Sequence, residues 1–70
     1  MSDVIKVIEV LAESDKSWED AAAKAIERAS KSLHGIKSIY IKNLEAKVEN
    51  NKIVKYRING QLSFMLDQPG

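Results

Sequence analysis

Residues 38–50, SIYIKNLEAKVEN, and residues 52–66, KIVKYRINGQLSFML, are two long alternating segments that meet at Asn50-Asn51. They read as the arms of one β-hairpin. Asparagine tolerates positive φ better than other non-glycine residues, which suits the pair to a tight hairpin turn. Each arm far exceeds the usual strand of about five to six residues. In the later arm Val54, Tyr56, Ile58, Leu62, Phe64 and Leu66 face one way, and Lys55, Arg57, Asn59, Gln61 and Ser63 face the other. Gly60 interrupts the apolar row and predicts either a bulge or a close approach of a helix backbone. A 70-residue chain with one helix cannot cover both faces of so large a ribbon. The uncovered face must meet water, a ligand or further copies of the chain.

Working outward, the pattern sets the second strand at Ile36 to Glu49 and the third at Lys52 to Asp67. Upstream of the hairpin, Ser17 is a suitable N-cap, with Asp20 three residues on. Trp18, Ala22, Ala25, Ile26, Ala29 and Leu33 recur at helical spacing and make one apolar stripe. Glu19 and Asp20 in the first turn, with Lys31 and His34 in the last, complement the helix dipole. Gly35 is the expected left-handed terminator. The spacing therefore predicts a helix from Trp18 to His34. Before it, Asp3 to Ala12 alternates loosely and is rich in Val and Ile. Val4, Lys6, Ile8 and Val10 lie on one side, and Ile5, Val7, Glu9 and Leu11 on the other. Residues 13–16 read as a polar connector. The order is β-α-β-β in an α+β fold, a three-stranded antiparallel sheet wrapped around one helix. Residues 1–70 are read as one domain.

Composition narrows the function. The chain is near the lower size limit for an independent core. It has no cysteine, so no disulfide or thiolate metal site can support that core. Oligomerisation is the remaining common support. A net charge of +1 with 30% charged residues lacks the basic bias of a nucleic-acid or anionic-membrane partner. No apolar run marks a membrane span, and no signal peptide is visible. The chain is read as cytoplasmic.

Residues that could carry chemistry are few. His34 is the only histidine, which excludes a histidine dyad within one subunit. There is no Gly-rich phosphate loop, no GxSxG elbow and no HExxH. The chain is accordingly read as a non-enzyme. Glu9, Glu13, Asp15, Glu19 and Asp20 cluster around the strand-helix connector, either as a solvated surface or as oxygen ligands for a cation shared between subunits. Trp18 is either an anchor for the helix start or a platform for a planar ligand. The most promising surface is the polar side of the hairpin, where Ser38, Tyr40 and Lys42 alternate opposite Lys55, Arg57, Asn59 and Gln61. Arginine both stacks on aromatic rings and pairs bidentately with carboxylate or phosphate. Ser38, Tyr40, Arg57 and Gln61 are the candidate ligand-binding residues; the reading names no metal ligands.

VIKVIEVLAESDKSWEDAAAKAIERASKSLHGI at residues 4–36 and KYRINGQLSFML at residues 55–66 carry a family resemblance. The strand VIKVIEV followed by SWEDAAAKAIERA, with Tyr56 and Phe64 in the last strand, resembles the dodecins over almost the whole chain. The resemblance implies a hollow homododecamer of tetrahedral symmetry that stores or sequesters a small ligand. Many dodecins bind flavins in stacked pairs near two-fold axes. Their rings stack on a tryptophan early in the second strand and accept help from a glutamine on the third. In this chain those positions are Ser38 and Arg57. The departure weakens riboflavin or FMN as the ligand. It makes the chain similar to a subgroup without the flavin residues, in which a calcium-binding member occurs. The alternative is a flavin-independent structural or calcium-binding assembly, with Arg57 filling the old pocket through salt bridges between subunits.

Overall fold

The computed structural model describes residues 4–66. It contains β1 (Ile5–Ser14), α1 (Trp18–Ala29), β2 (Ile36–Glu49) and β3 (Lys52–Met65). The three strands form one antiparallel sheet in the order β1-β3-β2, which puts β3 in the centre. The β-α-β-β arrangement read from the sequence is the observed one.

The hairpin turn behaves as its residues dictate. Asn50 and Asn51 take φ of 52° and 64°, the paired left-handed conformation of a type I′ connection. In β3 the apolar row turns inward against α1: Ile58, Leu62 and Phe64 are buried, as is Ala21 of the helix. Small residues on α1 let it lie close to the sheet. Its N-terminus is held as expected, with the Ser17 side chain accepting a 2.9 Å hydrogen bond from the Asp20 backbone N–H.

Several expectations need correction. The helix ends at Ala29 rather than at His34. Beyond it the Lys31 and Ser32 N–H groups bond to the Arg28 and Ala29 carbonyls, three residues back, and the winding tightens into a turn. The Ser30 hydroxyl also donates to the Glu27 carbonyl at 2.7 Å, the local competition that makes serine a poor interior helix residue. Gly35 is left-handed, φ 69°, but it lies well past the helix end. Its carbonyl accepts from the Met65 N–H at 3.0 Å, so it guides the chain into the sheet rather than capping α1. Glu13 and Ser14, read as connector, close β1; Asp3 and Asp67 lie outside the described residues.

Gly60 does mark a close backbone approach, but the neighbour is a strand. A Cβ on Gly60 would clash with the Tyr40 carbonyl oxygen. Directly beside it β2 carries a bulge: Ile41 pairs with Gly60 and Asn43 with Asn59, leaving Lys42 between them without a partner. A second irregularity puts Val54 of β3 between the Lys47–Lys55 and Val48–Ile53 pairs.

The helix leaves much of the sheet bare. Twelve residues of α-helix span about 18 Å, whereas fourteen residues of strand span roughly 46 Å. The molecule measures 56 × 20 × 13 Å. On the helix side near the hairpin tip, Leu44, Val48, Ile53 and Val54 stay exposed. On the opposite face Ile5, Val7 and Leu11 of β1 are exposed, together with Tyr40 of β2. No helix among the described residues is long and apolar enough to cross a membrane.

Candidate functional site

The sheet face turned away from α1 is built from rows in which one residue of each strand lies side by side. Residues directly opposite each other in an antiparallel pair share a face. The rows on this outer face are Val7–Ser63–Ser38, Glu9–Gln61–Tyr40, Leu11–Asn59–Asn43 and Glu13–Arg57–Glu45. Beyond them Lys55 faces Lys47. A polar seam along β3 is thus flanked on one side by β1, where Val7 and Leu11 alternate with Glu9 and Glu13, and on the other by Tyr40.

Three of the four predicted residues come together. The Ser38 and Ser63 hydroxyls lie 2.5 Å apart in a cross-strand hydrogen bond, and Tyr40 faces Gln61 in the next row. Tyr40 is 63% exposed, so its ring is available to whatever covers this face. Arg57 does not join them within one chain. Six residues of strand separate it from Ser63, about 20 Å.

Lys42 is displaced from this face. As the unpaired residue of the bulge it turns to the helix side, where it lines a groove of about 550 Å³ with Trp18, Glu19, Ala22, Ile41, Leu44 and Ile58. Trp18 proves to be the anchor of the helix start. Its indole N–H donates a 2.8 Å hydrogen bond to the Glu45 carbonyl, and its ring meets Tyr56 edge-on with centroids 4.9 Å apart.

Arg57 is the electrostatic centre of the outer face. It lies between two glutamates from the flanking strands, 3.5 Å from Glu13 Oε1 and 4.0 Å from Glu45 Oε1. Both contacts are longer than a well-formed charge-assisted hydrogen bond of about 2.7–2.9 Å. Its Nε is shielded from solvent and has no acceptor among the described residues. Sequence reading missed Glu45 and placed Glu13 in a connector. Their alignment with Arg57 exists only once β1 and β2 are known to flank β3.

The acidic residues near the connector do not assemble. Among the described residues no three His, Cys, Asp or Glu side chains are grouped to hold a metal ion. Asp20 instead closes a local network: Ser14, buried at the end of β1, donates to its carboxylate at 2.5 Å and accepts from the Lys16 N–H at 2.9 Å. That hydroxyl, reinforced by Lys24 and Lys16, holds the Asp20 carboxyl below its ordinary pKa against the opposing effect of burial. Glu13 and Glu45, the two carboxylates that do face one spot, already flank a guanidinium.

A single helix cradled by a β1-β3-β2 sheet, with the outer face exposed, defines a small α+β fold. A family model described as Dodecin matches residues 4–67. The chain belongs to the dodecin family. A calcium dodecin from Mycobacterium tuberculosis is 35% identical over 63 residues, covering 90% of this chain and 89% of that protein. Its crystal structure, that of a calcium-chelating antigen, matches with a TM-score of 0.79 over 96% of this chain and 99% of the other. The dodecin from Streptomyces davaonensis matches with a TM-score of 0.91 at 19% identity, over 97% and 100% of the two chains. At that identity the likeness establishes the fold.

Proposed function

We propose that this protein is a non-enzymatic, homododecameric shell of the cytoplasm that binds or stores a small ligand on the outer face of its sheet, with residues 1–70 acting as one unit. The observation that carries this reading is the outer face itself. Leu11 is 64% and Tyr40 63% exposed on either side of a polar seam, and none of the described residues covers them. Exposed apolar surface that borders polar groups is characteristic of interaction sites.

Flavin bound by stacked rings does not fit the residues present. Ser38 has no aromatic surface, and its hydroxyl is engaged by Ser63. Arg57 stands in the place of an amide and is flanked by two carboxylates. An aromatic contact is worth about 0.5–1.5 kcal/mol beyond area burial, and a paired site loses it twice. Tyr40 is the one exposed aromatic platform on this face.

A second reading is a flavin-independent structural or calcium-binding assembly. It draws on the relative named calcium dodecin and on the Glu13–Arg57–Glu45 row. In one chain Arg57 occupies the position a cation would take between those carboxylates, so a calcium site would need ligands from several copies. Within one chain Arg57 pairs with Glu13 and Glu45; on this reading it also makes salt bridges to neighbouring copies, and Arg57→Ala should weaken the assembly.

Fluorescence titration of riboflavin and FMN, on protein of known oligomeric mass, separates the readings. Saturable quenching supports ligand storage with Tyr40 as the platform. An assembled protein that leaves both flavins unquenched but takes up calcium supports the second reading.

A further inference from the structure

The last polar rows toward the hairpin tip hold an arrangement that a bare sheet face does not favour. Lys47 and Lys55 lie directly opposite each other, and like charges at that position are destabilising. Two residues along β3 on the same face, Arg57 adds a third cation. Together with Glu13, Glu45 and Ala46 these residues line a depression of about 320 Å³.

The local carboxylates do not neutralise this group tightly. Lys47 is 3.5 Å from Glu49, an exposed pair of the kind worth little in water. Arg57 is held loosely by Glu13 and Glu45 and keeps an unpartnered Nε. Lys55 has no ion pair among the described residues, although it faces a second lysine. An oxyanion in the depression would relieve the lysine repulsion. Lysines bind phosphate as point charges, and the arginine fork binds it bidentately.

Resting on the ligand-storage reading, we infer that Lys47, Lys55 and Arg57 form an oxyanion site that selects small ligands carrying a phosphate or diphosphate group. Glu13 and Glu45 limit the site. They offset part of the charge and keep Arg57 oriented, so that binding requires a multiply charged group rather than a chloride. The position that lost its ring-contacting amide thus gains a role in holding the charged end of a ligand.

The test is isothermal titration of the assembled protein with inorganic phosphate and with pyrophosphate, each at two salt concentrations. Pyrophosphate should bind more tightly than phosphate and weaken as salt rises. Lys55→Gln and Arg57→Gln should each weaken pyrophosphate binding at least tenfold, whereas Arg57→Lys should retain part of it. Lys55→Gln removes an exposed like-charge contact and should not unfold the protein. FMN binding more tightly than riboflavin, with the difference abolished by Lys55→Gln, would place the phosphate on a larger ligand. Preference for free pyrophosphate over FMN would identify the inorganic anion as the source. Failure of pyrophosphate to bind, or equal binding by Lys55→Gln, overturns the site even if native mass spectrometry finds an intact assembly. Lysine-dependent binding by a monomer would uphold the site and contradict the assembly.

Discussion

The Trp18 indole N–H reaches across to the Glu45 carbonyl at 2.8 Å, tying the first residue of α1 to the edge strand of the hairpin. Twenty-seven residues separate the two in sequence. The same ring meets Tyr56 of β3, so one side chain fixes the helix against two strands. Trp18→Phe keeps an aromatic edge and loses the hydrogen bond, for an expected cost of about 0.5–1.5 kcal/mol. Trp18→Ala loses both, and about 2–4 kcal/mol is expected for a partly buried indole. Urea unfolding of the two variants checks the order.

Gly60 lies hard against the backbone of β2. Any side chain there meets the Tyr40 carbonyl, which is backbone and cannot rotate away. Gly60→Ala should destabilise by roughly 1–3 kcal/mol and disturb the bulge at Lys42. The sheet ladder around Ile41 and Asn59 should then lose amide protection in hydrogen exchange.

The Ser14–Asp20 contact gives a pH dependence of known sign. The Asp20 carboxyl is depressed in the folded state, first by the Ser14 hydroxyl. The unfolded chain therefore binds the proton more readily. The contribution is present above the ordinary value of 3.8 and is lost as pH falls through the lower folded value. Melting temperature measured from pH 6 down to pH 2 should fall in that acid window, less steeply in Ser14→Ala. Because Asp20 is exposed enough to pair with water, the effect should be small and should shrink with salt.

On the proposed reading, Ser38 and Arg57 are the residues that disfavour a stacked flavin, so reversing both should strengthen flavin binding. Ser38→Trp combined with Arg57→Gln is expected to quench riboflavin fluorescence more strongly than the parent protein does, by at least tenfold in affinity. An unchanged titration would show that these two positions do not control flavin binding in this chain.

Much of the fold is written in local patterns. Ile36 to Glu49 is the observed β2, and Ser17, Trp18 and the two turn asparagines sit where the sequence puts them. The candidate site was legible only in part, for a reason of register. Counting outward from Asn50-Asn51 pairs Ser38 with Ser63 and Tyr40 with Gln61, as observed, because the irregularities at Val54 and Lys42 cancel by the time the chain reaches them. Between the two irregularities the same count is off by one. It sets Arg57 against Leu44 instead of Glu45 and leaves Lys42 on the wrong face. Bulges carry no side-chain signature of their own, and Gly60 could signal only that one was near. The contribution of Glu13 depended on β1 pairing with β3, which no hairpin count supplies.

The central claim is that the exposed outer face is closed by other copies of this chain. Native mass spectrometry of the purified protein tests it most directly. A dodecamer of the 7.8 kDa chain is expected. A stable monomer at micromolar concentration would contradict it, because Leu11 and Tyr40 would then have no covering partner.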